Sequence, residues 1–373
     1  MLIVMLTFAI ALTGCSSSPE QNVPVPEEIV EKEPDRIDII LADMTLRQKI
    51  ASLIIVGVEG TSVNVFLRQQ WSEYPFGGII IFERNYVRED WLGGFIADLK
   101  KLSLPGFPML VTIDEEGGSV SRLPGTNFPA AAIMGEMSRE EVYQIGFDMG
   151  QQLNKYGFNL NYAPVLDINI DSRNTVIGGR SFGNDPELVS SYGIALAEGM
   201  IAQNIIPVVK HFPGHGSTLV DSHFELPILD KSREELYAFE LIPFQKAIDA
   251  GLPAIMLAHL VVTGVDDLPA TMSREMIDIL RRDLGFSGVI ITDDLEMGAL
   301  TENFSWEDII LKSFLAGADL LLIGHSFERQ SEAVQILEAA YHAGIFDDQR
   351  LDLSLRRVME MQEQFGHIVE EKL

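Results

Sequence analysis

Val289-Ile290-Ile291-Thr292-Asp293-Asp294-Leu295-Glu296-Met297 opens on three β-branched apolar residues and runs directly into acidic ones. A strand written as an unbroken apolar run, without polar alternation, is buried on both faces, as in a parallel sheet covered by helices. Similar runs occur at Leu53–Val56, Gly78–Phe82, Met109–Ile113, Leu160–Val165, Pro207–Val209, Ala254–Leu257 and Leu320–Ile323. The segments between them carry helical periodicity. With Val289–Ile291 this makes eight strand-helix units, which predicts a (β/α)8 TIM-type barrel over an open doubly wound sheet. The residues that follow the runs decide between the two. Asp114, Asp167, Lys210-His211, His259, Asp293 and His325 all fall at the same end. In a barrel they converge on the C-terminal rim, where active sites of this architecture lie; in an open sheet they would be strung along a line.

Composition agrees with one large domain. The chain has 373 residues, 47% hydrophobic and 22% charged, enough apolar material for a single barrel core. Its 55 Asp and Glu against 27 Lys and Arg give a formal charge of -28, a field that repels polyphosphate backbones, so no nucleic-acid partner is expected. Closing helices are expected over Ser326–Ala343 and Ser354–Phe365 with Gly344 as a stop, and Asp43 is a plausible cap for the first helix.

The one cysteine, Cys15, excludes an intramolecular disulfide and stands where the apolar run Leu2–Leu12 gives way to Ser16-Ser17-Ser18. That run is too short to span a bilayer but matches the core of an export signal. Leu12-Thr13-Gly14-Cys15 resembles a bacterial lipobox, which implies cleavage before Cys15 and its lipidation, although the usual Lys or Arg before the apolar run is missing. The Pro-, Glu- and Ser-rich stretch that follows is expected to be a flexible tether. The expected organisation is therefore a signal peptide at 1–14, a tether at 15–36 and one catalytic barrel at 37–373 without a second C-terminal domain.

The densest polar cluster is Lys210-His211-Phe212-Pro213-Gly214-His215-Gly216-Ser217-Thr218-Leu219-Val220-Asp221-Ser222-His223. Its Gly and Pro content makes it loop. A metal site on His211, His215 and His223 is one reading, but Pro213 and the glycines prevent two histidines from sharing a helical turn. A purely structural reading of the histidines is another, and it leaves Lys210 without a reason. In the third reading Asp221 holds one ring nitrogen of His223 while the other faces substrate as a proton carrier. Asp293 emerges at the rim as a nucleophile or caps the next helix; Asp294 points the other way, and for it the cap is the better reading. In Asp114-Glu115-Glu116-Gly117-Gly118-Ser119-Val120-Ser121-Arg122, the paired glycines allow a tight turn that presents Asp114, while Glu115 and Glu116 read equally well as a solvated acidic turn. A carboxylate to meet an anomeric carbon and an acid for the departing oxygen are the parts of a glycosidase, with histidine in place of the second carboxyl group.

These residues resemble the bacterial β-N-acetylglucosaminidases of glycoside hydrolase family 3. The likeness runs through Met44–Ile50, Gly77–Phe82 with Arg84-Asn85, Asn161–Asp167, Gly179–Gly183 and above all the KHFPGHG…DSH stretch from Lys210 to His223. It implies that Asp293 forms a covalent glycosyl intermediate with retention, that His223 oriented by Asp221 is the general acid/base, and that Asp114, Arg122, Arg180, Lys210 and His211 bind the sugar. No metal and no cofactor are implied. Glu115 and Ser119 stand where the family's turn usually has Gln and Arg, which predicts an altered preference beyond the first sugar. The resemblance implies an extracytoplasmic, lipid-anchored monomer that removes N-acetylglucosamine from muropeptides or chitooligosaccharides. A phosphorylase using the same intermediate, and an inactive sugar-binding lipoprotein, are the alternatives.

Overall fold

Among the described residues ten strands form in chain order: β1 (Ile54–Gly57), β2 (Gly78–Ile80), β3 (Leu110–Ile113), β4 (Leu160–Asn161), β5 (Ile206–Phe212), β6 (Ile228–Ser232), β7 (Ala254–Leu257), β8 (Val261–Gly264), β9 (Val289–Asp294) and β10 (Leu320–Ile323). This computed structural model describes residues 34–368 except 87, 124, 126, 172, 219, 220, 223 and 224. Eight strands close a parallel barrel in the order β1-β10-β9-β7-β5-β4-β3-β2. Closure is made by β1, which pairs Ile54 with Leu321 on one side and Ile55 with Gly78 on the other. All eight apolar runs supply barrel strands, and their side chains, with the inner faces of the surrounding helices, make one continuous core.

The boundaries differ from the sequence reading in ways that have local causes. β4 is only two residues long, because Pro164 lacks an amide hydrogen and interrupts the ladder. The Ala163 and Pro164 carbonyls still accept Val208 N–H and Lys210 N–H, each at 3.1 Å, so the barrel wall continues without strand geometry. Asp43 ends the helix Arg36–Asp43 and does not cap the next one. Thr45 does so, in a capping box with Gln48. The last helix begins at Asp348, capped by Asp347, and not at Ser354. Ser326 caps Phe327–His342, and Gly344 follows with φ 72°.

A second, two-stranded parallel sheet, β6 with β8, pairs Ile228 with Val261 on the rim side. β6 closes the long connection after β5, and β8 follows His259, so this small sheet ties the far end of the histidine-rich loop to the end of β7. Among the described residues no helix is long and apolar enough to cross a membrane.

Candidate active site

β5 is buried along its whole length and carries Lys210 and His211 to the rim. Lys210 Nζ lies 2.6 Å from Asp114 Oδ1 at the end of β3 and 2.7 Å from Glu116 Oε1 in the following turn. Arg180, from the single helical turn Gly178–Arg180, grips Glu116 with two bonds, Nε to Oε2 at 2.8 Å and Nη2 to Oε1 at 2.7 Å. Burial alone would push the Glu116 carboxyl up, but the Lys210 and Arg180 cations hold it well below the usual carboxylate range. Burial would likewise pull Lys210 down, and Asp114 and Glu116 raise it above an ordinary lysine. The result is a fixed alternation of charge whose geometry does not depend on solvent.

The His211 ring is oriented from both ends. Its Nδ1 is 2.6 Å from Asp167 Oδ2, and its Nε2 is 3.3 Å from Arg180 Nη2. Arginine only donates, so Nε2 is the acceptor and the proton sits on Nδ1, donated to Asp167. Asp167 is fully buried, and its Oδ1 accepts the His215 amide at 2.6 Å. Burial opposes its charge, yet the His211 ring and then His215 hold the Asp167 carboxyl below its ordinary value. His215 is itself buried with neither ring nitrogen bonded, and burial pulls its pKa down. Both His211 nitrogens are thus engaged within the protein, and His223, the third histidine of the metal reading, lies outside the described residues.

β9 delivers Asp293, which is half-buried. Its Oδ1 accepts the Asp294 amide at 2.8 Å. Burial would raise this carboxyl, and the His259 and His211 rings, the Asp294 amide and Lys210 together keep it low and ionised. His259, wholly buried at the end of β7, engages Thr271 Oγ1 at 2.7 Å through Nδ1 and donates Nε2–H to the Asp294 carbonyl at 2.9 Å. Asp294 points away from the pocket as the pleat requires, but it is not a helix cap. Its Oδ1 accepts Gly324 N–H at 3.1 Å and Glu296 N–H at 3.0 Å, tying β9 to the end of β10. A Cβ at Gly324 would stand 2.4 Å from Asp294 Oδ2, so a side chain there would displace this carboxylate.

Asp114, Lys210, His211 and Arg180 are thus brought together on one rim with Asp293. Arg122 lies at its edge, about one-third exposed, with Nη1 3.3 Å from Glu83 Oε1. Asp221 is half-buried, and its carbonyl accepts Glu225 N–H at 3.0 Å. The next residue, Ser222, accepts Ala299 N–H at 3.1 Å, which brings the Asp221-Ser222 segment to the chain that follows Asp293. His223 and Cys15 lie outside the described residues. Glu115 and Glu116 correct the solvated-turn reading: both are buried. Glu115 is turned into the protein, where it accepts from Ser121 and from the Arg122 and Leu123 amides. Glu116 and Asp167 are the site residues to which sequence reasoning gave no role. The sequence signal for Asp167 was its place after an apolar run and in the Asn161–Asp167 likeness, and that for Glu116 was its place two residues after Asp114.

The match to known proteins covers this whole assembly. The model of the glycosyl hydrolase family 3 N-terminal domain matches residues 45–361, and the chain belongs to that family. It is a glycoside hydrolase. β-Hexosaminidase LpqI of Mycobacterium tuberculosis is 32% identical over 363 residues, covering 94% of this chain and 89% of that protein. A solved structure of M. tuberculosis LpqI superposes with a TM-score of 0.80 at 32% identity, over 86% of this chain and 95% of that one. The family 3 β-N-acetylglucosaminidase of Paenibacillus sp. str. FPU-7 superposes with a TM-score of 0.83 at 35% identity. That match covers 88% of this chain and 64% of the Paenibacillus chain, so this chain spans about two-thirds of that enzyme's length.

Proposed function

We propose that the protein is a retaining exo-β-N-acetylglucosaminidase that removes terminal N-acetylglucosamine from peptidoglycan fragments. The glycoside hydrolase class follows from the family, and relatives named β-hexosaminidase support the N-acetylhexosaminidase type. The observation that carries the catalytic reading is Asp293: a carboxylate kept ionised at the barrel mouth, beside the Lys210–Asp114–Glu116–Arg180 array, with one oxygen held by a backbone amide.

In this reading an Asp293 oxygen attacks the anomeric carbon as the bond to the aglycone oxygen breaks, and His223 gives that oxygen its proton. A water then loses a proton to His223 and attacks the same carbon, releasing the sugar with its original configuration and restoring the Asp293 carboxylate. Asp221 orients His223. Asp114, Lys210, His211, Arg180 and Arg122 bind sugar hydroxyls and the acetamido group, the first four already set in one hydrogen-bonded array. Glu116 joins them by fixing Lys210 and Arg180. The lipobox-like Leu12–Cys15 supports anchoring through Cys15, with the barrel outside the cytoplasm.

Purified muropeptides incubated with the protein should release N-acetylglucosamine, with the β-anomer seen first by NMR. An α-anomer first would overturn retention, and turnover that requires phosphate would replace hydrolysis by phosphorolysis. His223→Ala should slow glycosides with poor leaving groups far more than activated ones; equal loss on both would remove His223 as the acid. Cys15→Ser should move the protein out of the membrane fraction.

A further inference from the structure

Glu115 has no role in the steps above, and its side chain is wholly buried beside the pocket without facing it. Its two carboxylate oxygens collect three donors from the far end of its own turn. Oε1 accepts Ser121 Oγ at 2.7 Å, and Oε2 accepts the Arg122 amide at 2.7 Å and the Leu123 amide at 2.9 Å. The Glu115 backbone is fixed in turn: its amide donates to Asn161 Oδ1 at 2.9 Å, and its carbonyl accepts Asn161 Nδ2 at 2.8 Å. The Arg122 carbonyl accepts the Tyr86 hydroxyl, which comes from the chain after β2. Both backbone polar groups of Arg122 are therefore held, while its guanidinium is left at the rim beside Glu83.

We infer that Glu115 is a positioning residue for Arg122, fixing the backbone from which the guanidinium reaches substrate. This rests on the reading of Arg122 as a substrate contact. The turn between the two residues needs such a tie. Gly117 and Gly118 both sit at positive φ, 85° and 61°, and Glu116 and Gly117 N–H on the Val120 carbonyl and Gly118 N–H on the Phe128 carbonyl hold the middle of the turn, which leaves its far end, from Ser121 to Leu123, to the Glu115 carboxylate. Glu115 bridges the start of the turn to its end, so Arg122 inherits the rigidity of β3 and β4. The role requires acceptors in the right places and not a charge. The carboxylate accepts two amides and one hydroxyl and touches no cation, and burial pushes it up against the help of those donors. A glutamine of the same shape can accept both amides on its oxygen and turn its NH2 toward Ser121 Oγ, which also accepts.

The test is steady-state kinetics on p-nitrophenyl N-acetyl-β-D-glucosaminide with Glu115→Gln, Glu115→Ala, Arg122→Ala and the Glu115→Ala/Arg122→Ala double variant. Glu115→Ala should raise KM about tenfold with kcat within about threefold, because ground-state and transition-state contacts of Arg122 are lost together. Glu115→Gln should restore both constants to within about twofold of the parent, by keeping the three bonds. The double variant should be no worse than Arg122→Ala alone, since one residue acts through the other. Tyr86→Phe, which spares the buried carboxylate and is the milder change should Glu115→Ala fail to fold, should raise KM in the same direction. Additive losses, a Gln variant as poor as Ala, or a Tyr86→Phe variant with unchanged KM would overturn the proposal. An Arg122→Ala variant with unchanged KM would overturn the substrate-contact reading and the proposal with it, whereas an impaired Arg122→Ala beside a normal Glu115→Ala would overturn the proposal alone.

Discussion

The two ends of the barrel each hold a buried ion network, and they are built on opposite terms. At the N-terminal end Asp319, with no exposure, receives four donors: Arg281 Nη2 at 2.5 Å and Ile290 N–H at 3.0 Å on Oδ2, Ser354 Oγ at 2.6 Å and Arg357 Nη1 at 3.0 Å on Oδ1. Arg350 joins through Ser354 and ends on the Phe314 and Ala318 carbonyls. Cations are in excess there, and burial brings Arg281 down to about 10 despite Asp319. At the C-terminal end carboxylates are in excess, with Asp114, Glu116, Asp167 and Asp293 around Lys210 and Arg180. The lower network closes every acceptor of its carboxylate on itself and staples β9 and β10 to the last helix. The upper one leaves Asp293 Oδ2 and Asp114 Oδ2 without a bonded partner among the described residues. A saturated network can only stabilise; one with open valences at a mouth can also bind and react.

Substitution at each end should separate these roles. Asp293→Ala is expected to lower kcat by on the order of 10⁴-fold, since it removes the group that forms the intermediate. Circular dichroism should stay near the parent, and melting should shift far less than for a residue that pairs a buried cation, because this carboxylate holds no cation in a direct pair. Asp319→Asn should do the reverse. It leaves buried arginines without their counter-charge, which costs roughly 3–5 kcal/mol, and it should lower the melting temperature while kcat at assay temperature stays within about twofold. Glu116→Gln lies between them: it strips Lys210 and Arg180 of their shared carboxylate, so both stability and KM should suffer. If Asp319→Asn reduced kcat at a temperature where the fold is intact, the division between the two ends would fail.

How much of this was legible in the sequence follows the same division. The barrel strands could be read because burial on both faces writes them as unbroken apolar runs, and the rim because polar residues end those runs. β6 and β8 could not, because a short strand pair on the rim, exposed at Ile228 and Asp230 in one strand and at Thr263 and Gly264 in the other, has only one or two buried apolar residues per strand to register. In the site, Asp293 and Lys210-His211 stand out as charge set at the end of apolar strands. Asp114, Glu115 and Glu116 are three successive carboxyls whose fates differ entirely: one faces the pocket, one ties the turn, one carries the cation pair. What selects Glu116 is Arg180, 64 residues away, and no local pattern contains that distance.

The acid side of the pH profile sharpens the comparison further. Glu116, Asp167 and Asp293 all have carboxyls held below their ordinary values. Groups depressed in the folded state contribute stability that is present above the unfolded pKa and is lost as pH falls through the folded one. The rim should therefore keep its charge pattern at pH values where free carboxylates have begun to protonate, and the acid limb of kcat/KM should fall below pH 3.8, the ordinary value for Asp293. An acid limb centred well above that would mean that Asp293 is not the ionised nucleophile of the free enzyme.

The smallest expected effect has the opposite sign and comes from Glu115. Its carboxyl is raised by burial, which outweighs the Leu123, Ser121 and Arg122 donors, so the fold favours its protonated form. Stability from that group is fully present below the usual carboxylate range and is lost as pH rises through its folded pKa. Glu115→Gln freezes the neutral form with the same bonds. The variant should therefore melt slightly higher than the parent at pH 7, by an amount of about 1 kcal/mol or less, and the difference should vanish as the pH is lowered toward 4. Melting curves across that range decide the matter: a Gln variant that loses stability at neutral pH would show that the charge itself holds the turn, and Glu115 would then belong with Glu116 among residues kept for their ionisation.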